Sequence, residues 1–225
     1  MLEDASATPP HTREWLRVGV FLATGIAGFF LLTRFDADLM YWRQVLLGGD
    51  KPDGFIRQIT VSLRQIPTVL PIVVTLIVIA SYDSRRKQII PLVLSSILIS
   101  QVISNAGKWT IHRDRPAAVV EELEELASLE ADPSWQGWSP GIRRGSTTQS
   151  FPSGHSSAAF AFLAPLAMFY RKISWMFLGL AAGCAVSRYL DAVHWASDCF
   201  VGGMIGYASA YLMCRAFKVS TSLAN

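Results

Sequence analysis

The chain has 225 residues, enough for one sizeable domain or two small ones. It is 51% hydrophobic, with a mean hydropathy of +0.33 and its charges gathered in clusters, which is the pattern of a multi-span membrane protein. The net charge of +3 is too small to argue for a nucleic-acid partner.

Residues 1–15 are polar, with Glu3, Asp4 and a Pro9-Pro10 pair. They lack the basic region that opens a cleaved signal, and predict a short cytoplasmic tail. A first span is expected from Leu16 to Thr33, with Arg17 snorkelling at its start. Residues 34–64 are mixed: Asp36, Asp38, Trp42 and Arg43, a Gly48-to-Pro52 turn, then Phe55 to Leu63. They predict an extracytoplasmic connection with one or two interfacial helices, since Tyr41 and Trp42 suit the headgroup zone. A second span covers Ile66 to Tyr82 and stops at Asp83-Ser84-Arg85-Arg86-Lys87. Further spans follow at Gln88 to Gly107, Ser157 to Tyr170, Ile173 to Val186 and Cys199 to Phe217. The last carries Gly202, Gly203 and Gly206 for close helix packing. Residues 218–225 form a second tail.

The expected fold is therefore all-α: a six-span transmembrane bundle over 16–217, with short interfacial helices on the extracytoplasmic side and outer connections at 34–64 and 117–150. Several spans fall short of the roughly 20 residues a crossing needs, so they borrow from the motifs that flank them. Six spans put both termini on one side. Arg85, Arg86, Lys87, Arg171, Lys172, Arg215 and Lys218 gather there, which makes that side cytoplasmic. The chain is thus expected in the cell (inner) membrane, with its chemistry-bearing residues facing the periplasm or exterior. Cys184, Cys199 and Cys214 lie in or at spans; an odd number in apolar surroundings reads as packing, not as a disulfide framework or a zinc site.

Three clusters face outward. The first is Lys-Trp-Thr-Ile-His-Arg-Asp-Arg-Pro, Lys108 to Pro116. Lys108 and Arg115 can clamp one anion, or Lys108 can be a snorkelling anchor. Arg113 and Asp114 read as a surface pair, and His112 as an interfacial residue without a chemical role. The second is Phe151 to Ser157, where Pro152 and Gly154 shape a turn and Ser153 caps the following helix. Free amides at such a helix start bind phosphate, and His155 can protonate a leaving oxygen. The alternative is an ordinary cap beside an incidental histidine. The third is Ser187 to Asp198. Arg188 is a charged fork suited to phosphate oxygens. His194 and Asp198, four apart, share a face if helical, and a carboxylate on one imidazole nitrogen leaves the other free as base or nucleophile. A helix cap with a surface salt bridge is the plainer reading.

Together these residues hold three cations, a turn of amides, two histidines and one carboxylate, the inventory phosphoryl transfer needs. The three motifs resemble those of the type 2 phosphatidic acid phosphatase family: Lys, six residues, Arg-Pro; Pro-Ser-Gly-His; then Ser-Arg, five residues, His, three residues, Asp. Every position matches without a gap. The resemblance implies a metal-independent lipid phosphate phosphatase that uses no cofactor. His194 would become a phosphohistidine, oriented by Asp198. His155 would protonate the leaving lipid oxygen and then help activate water. Lys108, Arg115, Arg188, Ser153 and the Gly154 amide would hold the phosphoryl oxygens. The family's range implies a lipid substrate: phosphatidylglycerol phosphate, polyprenyl diphosphate, phosphatidic acid or lipid A phosphate.

Three other functions compete with it. A phosphotransferase would pass the group to an acceptor other than water. A serine hydrolase using Ser153 or Ser156 would lack a G-x-S-x-G elbow and leave the cations unexplained. A non-catalytic lipid-binding protein would have no need of the nucleophile. Between the first two motifs, Val119 to Asp132 carries six acidic residues with Leu123, Leu126 and Leu129 at helical spacing. It predicts an outer amphipathic helix, either a rim that screens headgroups or a solvated connector. Trp135 and Trp138 follow as interface anchors, then Arg143 and Arg144.

Overall fold

The computed structural model describes residues 10–48, 52–119, 134–138, 147–217 and 219. These form seven α-helices and one short β-ribbon. The expected acidic helix within 119–132, and Arg143 and Arg144, lie outside the described residues apart from Val119.

Helix α1 (Pro10–Leu47) is one unbroken run of 38 residues, about 57 Å at the usual rise per residue. The sequence predicted a span ending at Thr33 and an outer connection from Arg34. The structure corrects this: the helix runs on past Arg34, and two of the charges that seemed to end the span face inward and are paired. Asp36 and Arg43 are both buried; the Arg43 Nε donates to the Leu190 carbonyl at 3.0 Å. Around them, Trp15, Leu22, Ile26 and Phe30 stay exposed along the same helix, the surface a lipid chain would cover.

Helices α2 (Gly54–Arg64) and α3 (Val69–Tyr82) meet at a 57° bend. Pro67 sits in the break and lacks the N–H a continuous helix would need. The segment assigned to an interfacial helix is therefore one arm of a bent pair. α4 (Arg86–Thr110) follows a tight turn. α5 (Gly154–Phe169) is the most enclosed helix, packed against α4, α6 (Ser174–Leu190) and α7 (Ala196–Ala216). By length and composition, three helical segments can cross a membrane: Trp15–Leu47, Arg86–Thr110 and Arg171–Leu190; the bent pair makes a fourth. α5 has only 16 residues, and α7, although 21 long, is rich in Gly, Ala and Ser.

The core around α5 joins Ile79, Ile89, Val93, Phe162, Leu163, Leu166 and Cys184. Glycines let α7 approach closely. A Cβ at Gly206 would stand 2.2 Å from the Ser157 carbonyl oxygen, and one at Gly202 2.4 Å from that of Ser153. Ser104 Oγ donates to Ser157 Oγ at 2.7 Å, and Gln101 Nε2 to Gly154 O at 3.3 Å, which fastens α4 to α5. All three cysteines are free and buried, as packing residues would be.

No residue pattern pointed to β-structure, yet β1 (Ile111–Arg113) pairs antiparallel with β2 (Trp135–Trp138), with a register shift between His112 and Arg113. The stretch is too short to show a period of two. Its ribbon turns the chain leaving α4 back over the bundle end.

Candidate active site

The C-terminal ends of α4 and α6 and the N-terminal ends of α5 and α7 meet at one pole of the bundle, joined there by the Asp36 end of α1. Lys108 lies in the last turn of α4, and Arg188 in the last turn of α6, where helix carbonyls favour cations. Arg115 precedes Pro116 in an extended conformation, and its N–H donates to Thr147 O at 2.8 Å. Burial pushes its guanidinium below the ordinary arginine value; the Arg188 cation pushes the same way and Asp198 opposes. Arg188 is buried, with Nη1 3.4 Å from Asp191 Oδ2. The Nε atoms of both Arg115 and Arg188 are buried without a hydrogen-bond partner. Two enclosed guanidinium donors with nothing to donate to are costly unless an anion completes them.

Ser153 starts α5 as its N-cap, accepting from the Ser156 amide at 3.4 Å and the Ser156 hydroxyl at 2.9 Å. It is wholly buried, and its own N–H donates to Asp198 O at 3.1 Å. Gly154 is the first helical residue, and a Cβ there would lie 3.7 Å from Lys108 Nζ. The α5 amides with no intrahelical partner thus open beside the lysine. His155 is exposed on the next position, within electrostatic reach of Arg188, His194 and Lys108.

His194 is not on the helix with Asp198, as its spacing suggested. It stands before α7, Trp195 is the N-cap, and Asp198 is the third helical residue. Asp198 therefore turns back to accept from the Trp195 amide at 3.0 Å. His194 Nδ1 lies 2.7 Å from the Ser150 carbonyl oxygen and 3.9 Å from Asp198 Oδ2. A carbonyl only accepts, so Nδ1 carries the proton and Nε2 keeps its lone pair. Burial first, with Lys108 and Arg115 adding to it and Asp198 opposing, lowers the imidazole pKa to about 4.

Two sequence readings fail nearby. Arg113 is not in a surface pair with Asp114: it is fully buried, and donates to Asp198 Oδ1 at 2.8 Å, Asp36 Oδ2 at 2.9 Å, Ser197 Oγ at 2.8 Å and Ser134 Oγ at 3.0 Å. Trp135 and Trp195 stack on its guanidinium, 4.2 and 4.8 Å from the ring centres. His112 is not interfacial but fully buried, with neither ring nitrogen hydrogen-bonded. Trp138 is exposed, whereas Trp135 is half-buried against Arg113. Asp36 and Ser150 were missed altogether. The signal for Asp36 was available, since a carboxylate within an apolar helix usually has an inward partner; nothing in the sequence marked Ser150.

Solved structures share this architecture. The crystal structure of Aquifex aeolicus LpxE aligns with a TM-score of 0.57 at 17% identity, covering 78% of this chain and 93% of that one. The crystal structure of a transmembrane PAP2 type phosphatidylglycerolphosphate phosphatase from Bacillus subtilis aligns with a TM-score of 0.55 at 14% identity, covering 90% and 98%. At such identities the likeness is one of fold. The bacitracin transport permease protein BcrC of Bacillus licheniformis is 34% identical over 61 residues, which span 27% of this chain and 30% of that protein. A sequence model of the PAP2 superfamily matches residues 91–222, more than half of the chain and the stretch that holds His155, His194, Lys108, Arg115 and Arg188; the chain belongs to that superfamily.

Proposed function

We propose that the protein is a membrane lipid phosphatase that releases the terminal phosphate of a phospholipid or polyprenyl (di)phosphate through a phosphohistidine. The observation that carries this reading is the free Nε2 of His194, fixed by the Nδ1–H bond to Ser150 O and facing a pole whose Arg115 and Arg188 hold unspent buried donors. The Nε2 lone pair attacks phosphorus. Lys108, Arg115, Arg188 and the Gly154 amide take the equatorial oxygens as charge shifts outward. Ser153, which caps α5, holds that amide in place and supplies its hydroxyl. His155 protonates the departing oxygen, then takes a proton from the water that opens the phosphohistidine. Charge stabilisation comes from lysine and arginine.

The full arrangement we infer is six membrane passages, with α5, α7 and the bent α2–α3 pair crossing in the company of their neighbours. Both termini are cytoplasmic and the site opens outward. A lipid whose phosphate lies at the outer interface then reaches it without leaving the bilayer. Phosphatidylglycerol phosphate and polyprenyl diphosphate stand first. The test is phosphate release by purified protein from these two lipids, phosphatidic acid and lipid A phosphate, with EDTA present, beside His194→Ala. Release that resists EDTA and disappears in the variant is expected. Release that survives His194→Ala, or that needs added metal, would sink the mechanism.

A further inference from the structure

We propose that Asp36 and Arg113 are positioning residues of the active site, fixing the Asp198 carboxylate and, through Ser150, the direction and tautomer of His194. The inference rests on the phosphohistidine reading above, and assigns a role there to α1, which lies outside the superfamily match at residues 91–222.

The links are continuous. Asp36 accepts from the Ser197 amide at Oδ1, 3.0 Å, and from the Ser197 hydroxyl at Oδ2. A side chain of α1 thereby satisfies an unpaired amide at the start of α7, where an anion also suits the helix dipole. The same Oδ2 receives Arg113 Nη2. Arg113 Nη1 reaches Asp198 Oδ1, so one guanidinium joins two buried carboxylates. The Trp135 and Trp195 rings pack against its guanidinium. The other Asp198 oxygen accepts the Ser150 hydroxyl at 2.5 Å. The carbonyl of that same Ser150 receives His194 Nδ1–H.

The direct His194–Asp198 separation, 3.9 Å between Nδ1 and Oδ2, is too long for a hydrogen bond. The carboxylate therefore acts on the imidazole chiefly through Ser150, and its place depends on Arg113. Lysine cannot replace Arg113 here, because a single ammonium lacks the planar fork that spans two carboxylates. Among the described residues, no hydrogen bond or ion pair joins Asp36, Arg113 or Ser150 to Lys108, Arg115 or Arg188, the cations that would bind phosphate. Their loss therefore acts on the chemical step and spares substrate binding.

The experiment uses the full-length protein in detergent, labelled with 15N-histidine. With four histidines in the chain, the His194 signal is identified by its loss in His194→Ala. The variants are Asp36→Asn, Ser150→Ala and Arg113→Lys. Wild type is expected to show one tautomer, Nδ1 protonated and Nε2 bare. In each variant the Ser150 carbonyl loses its alignment with Nδ1, so the expected result is a tautomer mixture with kcat lower by about 10–100-fold, the range found when the partner orienting a metal-bound histidine is lost. KM and inhibition by inorganic phosphate should change less than about threefold. A retained single tautomer, an unchanged kcat, or a loss of kcat matched by weaker phosphate inhibition would overturn the proposal. If Arg113→Lys fails to fold, Asp36→Asn and Ser150→Ala decide, since each is near-isosteric or merely removes a hydroxyl. Failure of the phosphatase reading shows separately, as no release by wild type or full release by His194→Ala, and the tautomer is read in either case.

Discussion

His194 can attack phosphorus only while Nε2 is unprotonated, so its proton affinity sets an acid limit on the proposed activity. An ordinary imidazole would lose half its free form at pH 6.5; burial here brings the value to about 4. After correction for the lipid phosphate's own titration, kcat/KM should hold down to about pH 4.5 and fall below it. A limb near 6.5 would show that the imidazole is not enclosed as described. The same shift couples to stability. Between pH 6.5 and about 4 the unfolded chain binds a proton that folded His194 does not. Its contribution is thus fully present above 6.5 and is lost as pH falls through that window, which a series of thermal midpoints would register. The motif singled out His194 in the sequence. Its true hydrogen-bond partner was not legible there, because a backbone carbonyl 44 residues away leaves no trace in residue types.

Helix α5 depends on what its neighbours lack. Gly206 of α7 faces the Ser157 carbonyl, the Ala161 amide and Phe160 Cβ, with a hypothetical Cβ 2.2, 2.8 and 2.8 Å away. The first two are backbone, which cannot rotate aside. Gly206→Ala must push α7 off α5 and should cost about 1–3 kcal/mol, read as a lower thermal midpoint; an unchanged midpoint would mean the two helices are not so close. At the opposite pole, Tyr170 donates to Asp83 Oδ2 at 2.6 Å, while Arg85 grips the same carboxylate at 3.0 Å. The Arg85 bonds, foremost, hold Asp83 below the usual carboxylate range. Tyr170→Phe should weaken this clasp by about 1 kcal/mol without changing kcat, because the site lies at the other end. The glycines were readable beforehand as a packing stripe. α1 was not, because Asp36 and Arg43 look like an exit from the bilayer until their partners, more than 75 residues away, are known. The β-ribbon escaped for a different reason: three and four residues are too few to show alternation.

Across the whole molecule the two poles differ in chemistry. One gathers His112, His155, His194, Asp198 and the unsatisfied guanidinium groups. The other carries Asp83 and Arg85, with Arg86, Lys87, Arg171 and Lys172 exposed beside them. If the positive-inside rule holds, the site pole faces out, and the substrate's phosphate must already be in the outer leaflet. Sidedness can be measured directly, since the three native cysteines are buried and should react slowly with a thiol reagent. Trp138→Cys, at a residue 73% exposed on the site pole, should be labelled in intact cells by a membrane-impermeant maleimide. Ser84→Cys, exposed at the basic pole, should be labelled only after the cells are opened. The reverse pattern would place His194 in the cytoplasm and redirect the search toward inner-leaflet lipids while leaving its chemistry intact. Labelling of both sites in intact cells would show that Ser84 and Trp138 do not lie on opposite sides of the membrane, and the six-passage arrangement would have to be abandoned.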